Sequence, residues 1–156
     1  MELKIAPLRA VIEQANVQSL FKLATQPAVK GVYRLTAFYP DRRAHHSIAT
    51  LTYTAYEEAT LEVIYIGAFH NRPLTHTITW ERLEQFESAL RKAGFDKLHD
   101  QNNVSVYGED CWLLERAAGS FSKSILLAPH RVEQPYTTIV NAIDAYLPEM
   151  IREVTR

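Results

Sequence analysis

The sequence predicts an α+β fold: one antiparallel sheet of about six strands, in two groups of three, with helices packed on it in the order α-βββ-α-βββ-α. Three stretches carry that expectation. Residues 79–93 repeat apolar side chains at helical spacing between start and stop signals. Residues 47–56, SIATLTYTAY, alternate apolar and hydroxyl-bearing side chains, as a half-covered strand does. Residues 104–129 divide at two turns into three strand-like runs around Cys111 and Trp112. At 156 residues the chain is expected to be one domain, 1–156, large enough to bury a core without a disulfide or structural metal.

The first helix is expected from Pro7, whose missing N–H costs nothing in a first turn. Leu8, Val11, Ile12 and Ala15 recur at helical spacing, and Leu20, Phe21 and Ala24 extend the apolar face past a break at Asn16. Pro27 ends the segment. Strands are expected at 31–39, 47–56 and 60–67. In the second, Ala49, Leu51, Tyr53 and Ala55 share one face and Thr50, Thr52 and Thr54 the other. In the third, Leu61, Val63 and Tyr65 oppose Ile64 and Ile66, which marks an interior strand. Pro73 bars a central strand from 68–78, so that stretch reads as a connection, with 74–78 able to form a short edge strand.

The helix at 79–93 has Thr79 as N-cap, Glu81 in its first turn, and Leu83, Phe86 and Leu90 as its apolar stripe. Arg91 and Lys92 close it, and Gly94 suits a left-handed position after the last turn. The second strand group is expected at 104–107, 111–116 and 121–127, with Gly119 turning the last hairpin and Pro129 stopping it. A final helix spans about 135–154, buries Ile139, Val140, Ile143, Tyr146 and Leu147, and is kinked or split by Pro148. This element order is similar to that of small secretion-chaperone-like folds, a resemblance of topology that carries no activity with it.

Composition narrows the function. Seventeen Lys and Arg against 18 Asp and Glu give a net charge of −1, so phosphate neutralisation lends no support to nucleic-acid binding. No window approaches the ~18 apolar residues of a membrane span. The acidic residues Glu2 and Glu13 in the opening stretch argue against a secretory signal. The expectation is a cytoplasmic protein.

Six histidines lack the close ligand spacing of a structural zinc site or an HExxH motif, so no metal and no cofactor is expected. Cys111 follows Asp110, and a neighbouring carboxylate raises a thiol pKa, which works against a nucleophile. The stretch GSFSKS lacks the ending of a phosphate loop. Glu115 is the residue that packing does not explain. It shares a strand face with Leu113, where a carboxylate needs a partner, with Arg34 or Lys123 on a neighbouring strand as candidates. Otherwise it belongs to a surface cross-strand ion pair. The loop DRRAHH, with Arg42 and Arg43 beside Tyr39, is the most basic cluster and a candidate contact for an anion. Trp112 and the tyrosines of the first strand group offer a docking face for a protein partner.

The reading that follows is a non-catalytic protein-binding module, an adaptor, assembly factor or chaperone-like protein acting as a homodimer. The competing reading is an enzyme or small-ligand binder with a pocket between sheet and helix, using Glu115, Arg34 or a histidine. That reading requires a concave site with convergent polar groups. A nucleic-acid-associated protein comes third.

Overall fold

Strand β1 (Val29–Phe38) is the axis around which the other strands assemble. Its residues from Gly31 to Ala37 are buried without interruption, as in a strand covered on both faces. The computed structural model describes residues 2–105 and 108–154, with side chains from Ala6 onward. On one side β1 pairs antiparallel with β2 (Ser47–Thr54), and on the other with β5 (Cys111–Ala118). The sheet continues through β3 (Ala59–Tyr65) to β4 (Leu74–Ile78) at one edge and to β6 (Phe121–Leu127) at the other. Its order is β4-β3-β2-β1-β5-β6.

The strands are therefore grouped four and two, not three and three. Residues 74–78 form an edge strand paired with β3, and Pro73 stands just outside it, where a missing N–H breaks no ladder bond. Of the expected strand at 104–107, Val104 and Ser105 lie outside any strand, and Val106 and Tyr107 lie outside the described residues. The outer edge of β6 is met instead by the polar loop at residues 100–103. Gln101 N–H donates to Leu126 O (2.9 Å), and the Asp100 and Gln101 side chains accept from Leu126 N–H and Ala128 N–H (2.8 and 2.7 Å).

Two helices lie on each face. Helix α3 (Trp80–Lys92) begins at Thr79, whose hydroxyl accepts from Arg82 N–H at 3.2 Å, and ends before Gly94 at φ +73°. Helix α4 (Tyr136–Tyr146) is shorter than the sequence implies. Leu147 leaves helical geometry ahead of Pro148, a single 3₁₀ turn follows (Pro148–Met150), and Glu153 then bridges to Ala44 in extended form. Arg82 of α3 ties this corner down, donating through Nε to Tyr146 O (2.6 Å) and through Nη2 to the Glu149 carboxylate. Together α3 and α4 cover Leu35, Leu51, Leu61, Val63, Leu114 and Ile125 with Leu83, Phe86, Leu90, Ile139 and Ile143. Each such side chain contributes roughly 1.5–3 kcal/mol of burial.

This face also takes the tyrosines. Tyr33, Tyr39, Tyr53 and Tyr65 are at most 7% exposed, and of the first strand group's five only Tyr56, at 74%, is free to solvent. The tyrosine-lined docking face expected from sequence is thus an interior surface. Tyr33 stacks on Tyr53 and meets Phe86 edge-on (centroids 6.1 and 5.2 Å), which is how large rings fill a sheet–helix interface.

The opposite face carries α1 (Glu2–Ala15) and α2 (Leu20–Ala24). Pro7 sits inside α1, not in its first turn, because the helix begins at Glu2. The break at Asn16 is present: its φ is +53°, its N–H bonds back to Ile12 and Glu13, and Ser19 caps α2 three residues later. Leu8 packs with Cys111, Leu113 and Leu126, and Val11 and Ala15 with Ile48 and Ile64. Ala24 of α2 packs with Val32 and Ala117. Helix α1 and the five-residue α2, set apart by a loop, cover this face only at its ends.

Candidate functional site

Between α1 and α2 the sheet presents one transverse row of polar side chains. The register reads Thr75 on β4, Glu62 on β3, Thr50 on β2, Arg34 on β1, Glu115 on β5 and Ser124 on β6. Side chains alternate strictly along each strand, so directly opposed residues share a face and every member of this row points to the α1–α2 side. The rows beside it are mostly apolar where α1 or α2 crosses them, with Ile48, Ile64 and Leu113 on one flank and Val32 and Ala117 on the other.

Arg34 stands at the centre. It is only 4% exposed, and Thr50 beside it 8%. Its Nε–H donates to Thr50 Oγ1 at 3.0 Å. Among the described residues, neither Nη group has a protein acceptor. Both glutamates act on it through space, since no direct ion pair joins Arg34 to either. Burial draws the Arg34 guanidinium below its ordinary pKa, and the charges of Glu115 and Glu62 oppose that shift. Burial lifts the Glu115 carboxyl above the usual carboxylate range, and Arg34 pulls it back. The pairing of Glu115 with Arg34 expected from sequence holds in register. Lys123 lies opposite Arg116 on the other face and is not its partner. A surface ion pair is also the wrong description, because the arginine is inside the fold.

The guanidinium lines a cleft of about 510 Å³. Thr50, Thr52, Thr54, Thr60 and Glu62 form its floor, Asn16, Val17 and Gln18 of the α1–α2 connection overhang it, and Asn71 and Pro73 close the far side. Gln26 Nε2–H donates to Gln18 Oε1 (3.3 Å) and braces the rim. A larger groove of about 840 Å³ runs between α3 and α4, but the Glu81, Glu84, Gln85 and Lys92 side chains that line it are exposed, and no buried charge faces it.

The other sequence candidates do not join this site. Trp112 and Tyr39 are buried on the α3–α4 face and bonded to each other, Nε1–H to Oη, at 3.2 Å. Burial pushes the Tyr39 hydroxyl up to about 12. They line a small cavity of about 240 Å³ with Arg43, Asp110 and His130. There Arg43 is held by Asp41 (2.6 Å), and His130 pairs with Asp110 (2.7 Å). Arg42 lies at φ +58° in the exposed turn and lines a separate depression with His45 and His46.

These two histidines are half-buried. His46 Nδ1 accepts Tyr39 N–H (3.1 Å), and burial, with the Arg42 charge, pulls its pKa down. Cys111 is fully buried, and burial with the charges of Glu109 and Asp110 pushes its thiol up to about 12. Such a thiol is protonated at neutral pH and a poor nucleophile. Among the described residues, no group of three or more His, Cys, Asp or Glu is arranged to hold a metal ion, and no helix is long and apolar enough to cross a membrane.

Sequence reasoning missed Glu62 and the threonines as site members. The signal was present in the alternation of Thr50, Thr52 and Thr54 against an apolar face, but only the register shows that Arg34 stands beside Thr50 and that Glu62 stands beyond it. No protein-family model matches the chain, and no curated protein matches it.

Proposed function

We propose that this protein binds a small polar ligand, without catalysing its conversion, in the cleft between the sheet and the α1–α2 connection. The observation that carries this reading is Arg34, a residue only 4% exposed whose Nη groups have no protein acceptor among the described residues. Burying a cation is costly unless it is paired and hydrogen-bonded. Here Arg34 lines a cavity within the ~300–1,000 Å³ range of small-molecule sites. A carboxylate or similar anion entering the cleft meets a planar fork of donors suited to bidentate binding.

The test is a titration followed by amide NMR shifts, with acetate and succinate as probes. Shifts confined to β1, β2 and the 16–19 connection, and lost in Arg34→Lys, support the reading. Lysine keeps the charge but loses the fork. Shifts scattered over exposed basic residues and unchanged in that variant refute it.

A second reading keeps the protein-binding function and the homodimer. Phe21 (68% exposed) and Tyr56 (74%) are the most exposed large apolar side chains, and the topology puts α2 and the β2–β3 turn at the same end of the sheet. Light scattering decides on the dimer: a doubled mass that falls to one chain in Phe21→Ser supports it, and a single-chain mass at tens of micromolar removes it.

A further inference from the structure

We infer that the ligand is a zwitterion of the amino-acid class, its carboxylate on Arg34 and its ammonium on Glu62. This rests on the ligand-binding reading above and adds the chemistry of the ligand.

The charges lining the cleft decide between classes. Arg34 is the one cation among them, and Glu58 and Glu62 line the same cavity. Glu115 stands directly across from Arg34 on β5. A phosphate or a dicarboxylate attracted by Arg34 also meets these carboxylates, and that repulsion offsets much of the attraction. An uncharged sugar satisfies the threonine hydroxyls but leaves the buried guanidinium without an anion. A molecule that brings one carboxylate and one ammonium meets both requirements without adding net charge.

The spacing agrees. Arg34 and Glu62 are two strands apart in one row, ~10 Å between their backbones, with only Thr50 between them. The Arg34 Nε–H bond to Thr50 Oγ1 turns the guanidinium toward the Glu62 side. Both side chains line one cleft, and a zwitterion bonded to both needs its own charge separation of ~3 Å plus a hydrogen bond of ~2.9 Å at each end, which fits between residues rooted ~10 Å apart. Apart from Glu58, the remaining wall is uncharged, and the hydroxyls of Thr52 and Thr60 and the amides of Asn16 and Asn71 offer donors and acceptors to a polar side chain.

The experiment is a thermal-shift screen of the twenty common L-amino acids on the intact chain. Calorimetry then compares the best binder with its two truncated analogues, one lacking the ammonium and one lacking the carboxylate. The expected result is that at least one amino acid raises the midpoint, and that each analogue binds at least ~10-fold more weakly, about 1.4 kcal/mol. Glu62→Gln, at an exposed position where folding is not at risk, weakens the amino acid by a similar factor and, by removing a repulsive charge, does not weaken the analogue without ammonium. Equal affinity for the amino acid and its des-amino analogue, or an unchanged amino-acid affinity in Glu62→Gln, overturns the zwitterion inference. If acetate or succinate still binds in an Arg34-dependent way, only the zwitterion inference falls. If neither they nor any amino acid depends on Arg34, the ligand-binding reading falls with it.

Discussion

Replacing Arg34 by methionine should destabilise the fold far more than the same change made together with Glu115→Leu. The two residues are direct cross-strand partners on β1 and β5, without a direct ion pair. Adjacent strands lie ~5 Å apart, so a charge separation of ~6 Å is a fair working value. At an effective dielectric of ~20 that separation gives ~3 kcal/mol of attraction. Glu115 is half-buried, and solvent screening brings the figure to ~1–2 kcal/mol. Arg34→Met loses this attraction and the bond to Thr50, and leaves Glu115 without its counter-charge, for a total of ~3–5 kcal/mol. Adding Glu115→Leu removes the stranded carboxylate and should return the protein to within ~1 kcal/mol of its parent. Urea unfolding of the parent, both single variants and the double variant measures the coupling. A coupling below ~0.5 kcal/mol would refute the argument that these charges sense each other inside the fold.

The same residues set a pH dependence whose sign is fixed. Glu115 is held above its ordinary value, so the native state binds its proton more tightly than the unfolded chain does. Its contribution is greatest below the unfolded pKa and is lost as pH rises through the ordinary carboxylate range to the raised folded value. The difference in stability between the parent and Glu115→Gln should therefore change across that window and flatten above it. In an Arg34→Met background the counter-charge is gone, and the window should extend to higher pH.

Cys111, fully buried with its thiol near 12, should resist alkylation at pH 8 in the native protein and react readily in denaturant; rapid native labelling would show that β5 opens locally. Gly31→Ala places a Cβ within 2.3 Å of Tyr53 Oη and should lower stability by ~1–3 kcal/mol, as the stacked Tyr53 ring must move. Gly94→Ala meets no atom within 4 Å and pays only for its left-handed backbone, ~1 kcal/mol, so thermal melts should rank the two in that order. Thr79→Ala removes the cap of α3 and should cost ~1 kcal/mol, with Thr79→Ser restoring it.

How much of this was legible in the sequence follows from the range of each interaction. Thr79, Glu81, Lys92 and Gly94 act within one or two turns of chain, and α3 is found where those residues place it. Pro148 likewise ends α4 by local sterics. The alternation of β2 correctly separated a threonine face from an apolar one, because side-chain direction in a strand needs only the neighbouring residue. The split into three and three failed because strand grouping is a long-range property. Residues 74–78, LTHTI, contain strand-forming Thr and Ile, but that they join the first group is decided by the edge that β3 offers them. The tyrosines misled for a related reason. A tyrosine at an interior position and one at an interface look alike until the helices that cover one face are known. The site was half visible: Glu115 stood out as a charge in an apolar strand and Arg34 as its candidate partner, while Glu62 and the overhanging α1–α2 connection came together only through the fold.

The energetics of the row bear on what it is for. The α3–α4 face shows how this sheet stabilises itself, with large apolar side chains fully covered by two long helices. On the other face the same strands carry Arg34, Thr50, Glu62 and Glu115 in one line, and α1 and the five-residue α2, separated by a loop, leave that line partly open. Filling those positions with leucine and methionine and covering them would cost nothing in stability by the usual behaviour of buried charge pairs, and would often gain ~1–4 kcal/mol. A buried guanidinium with spare donors is therefore a local sacrifice of stability that packing does not require, which is the usual state of a binding site before its ligand arrives. It follows that an Arg34→Met/Glu115→Leu protein should equal or exceed the parent in melting temperature while losing the ligand response altogether. A double variant that melts lower than either single change would mean that the row holds the sheet together and has no need of a ligand to explain it.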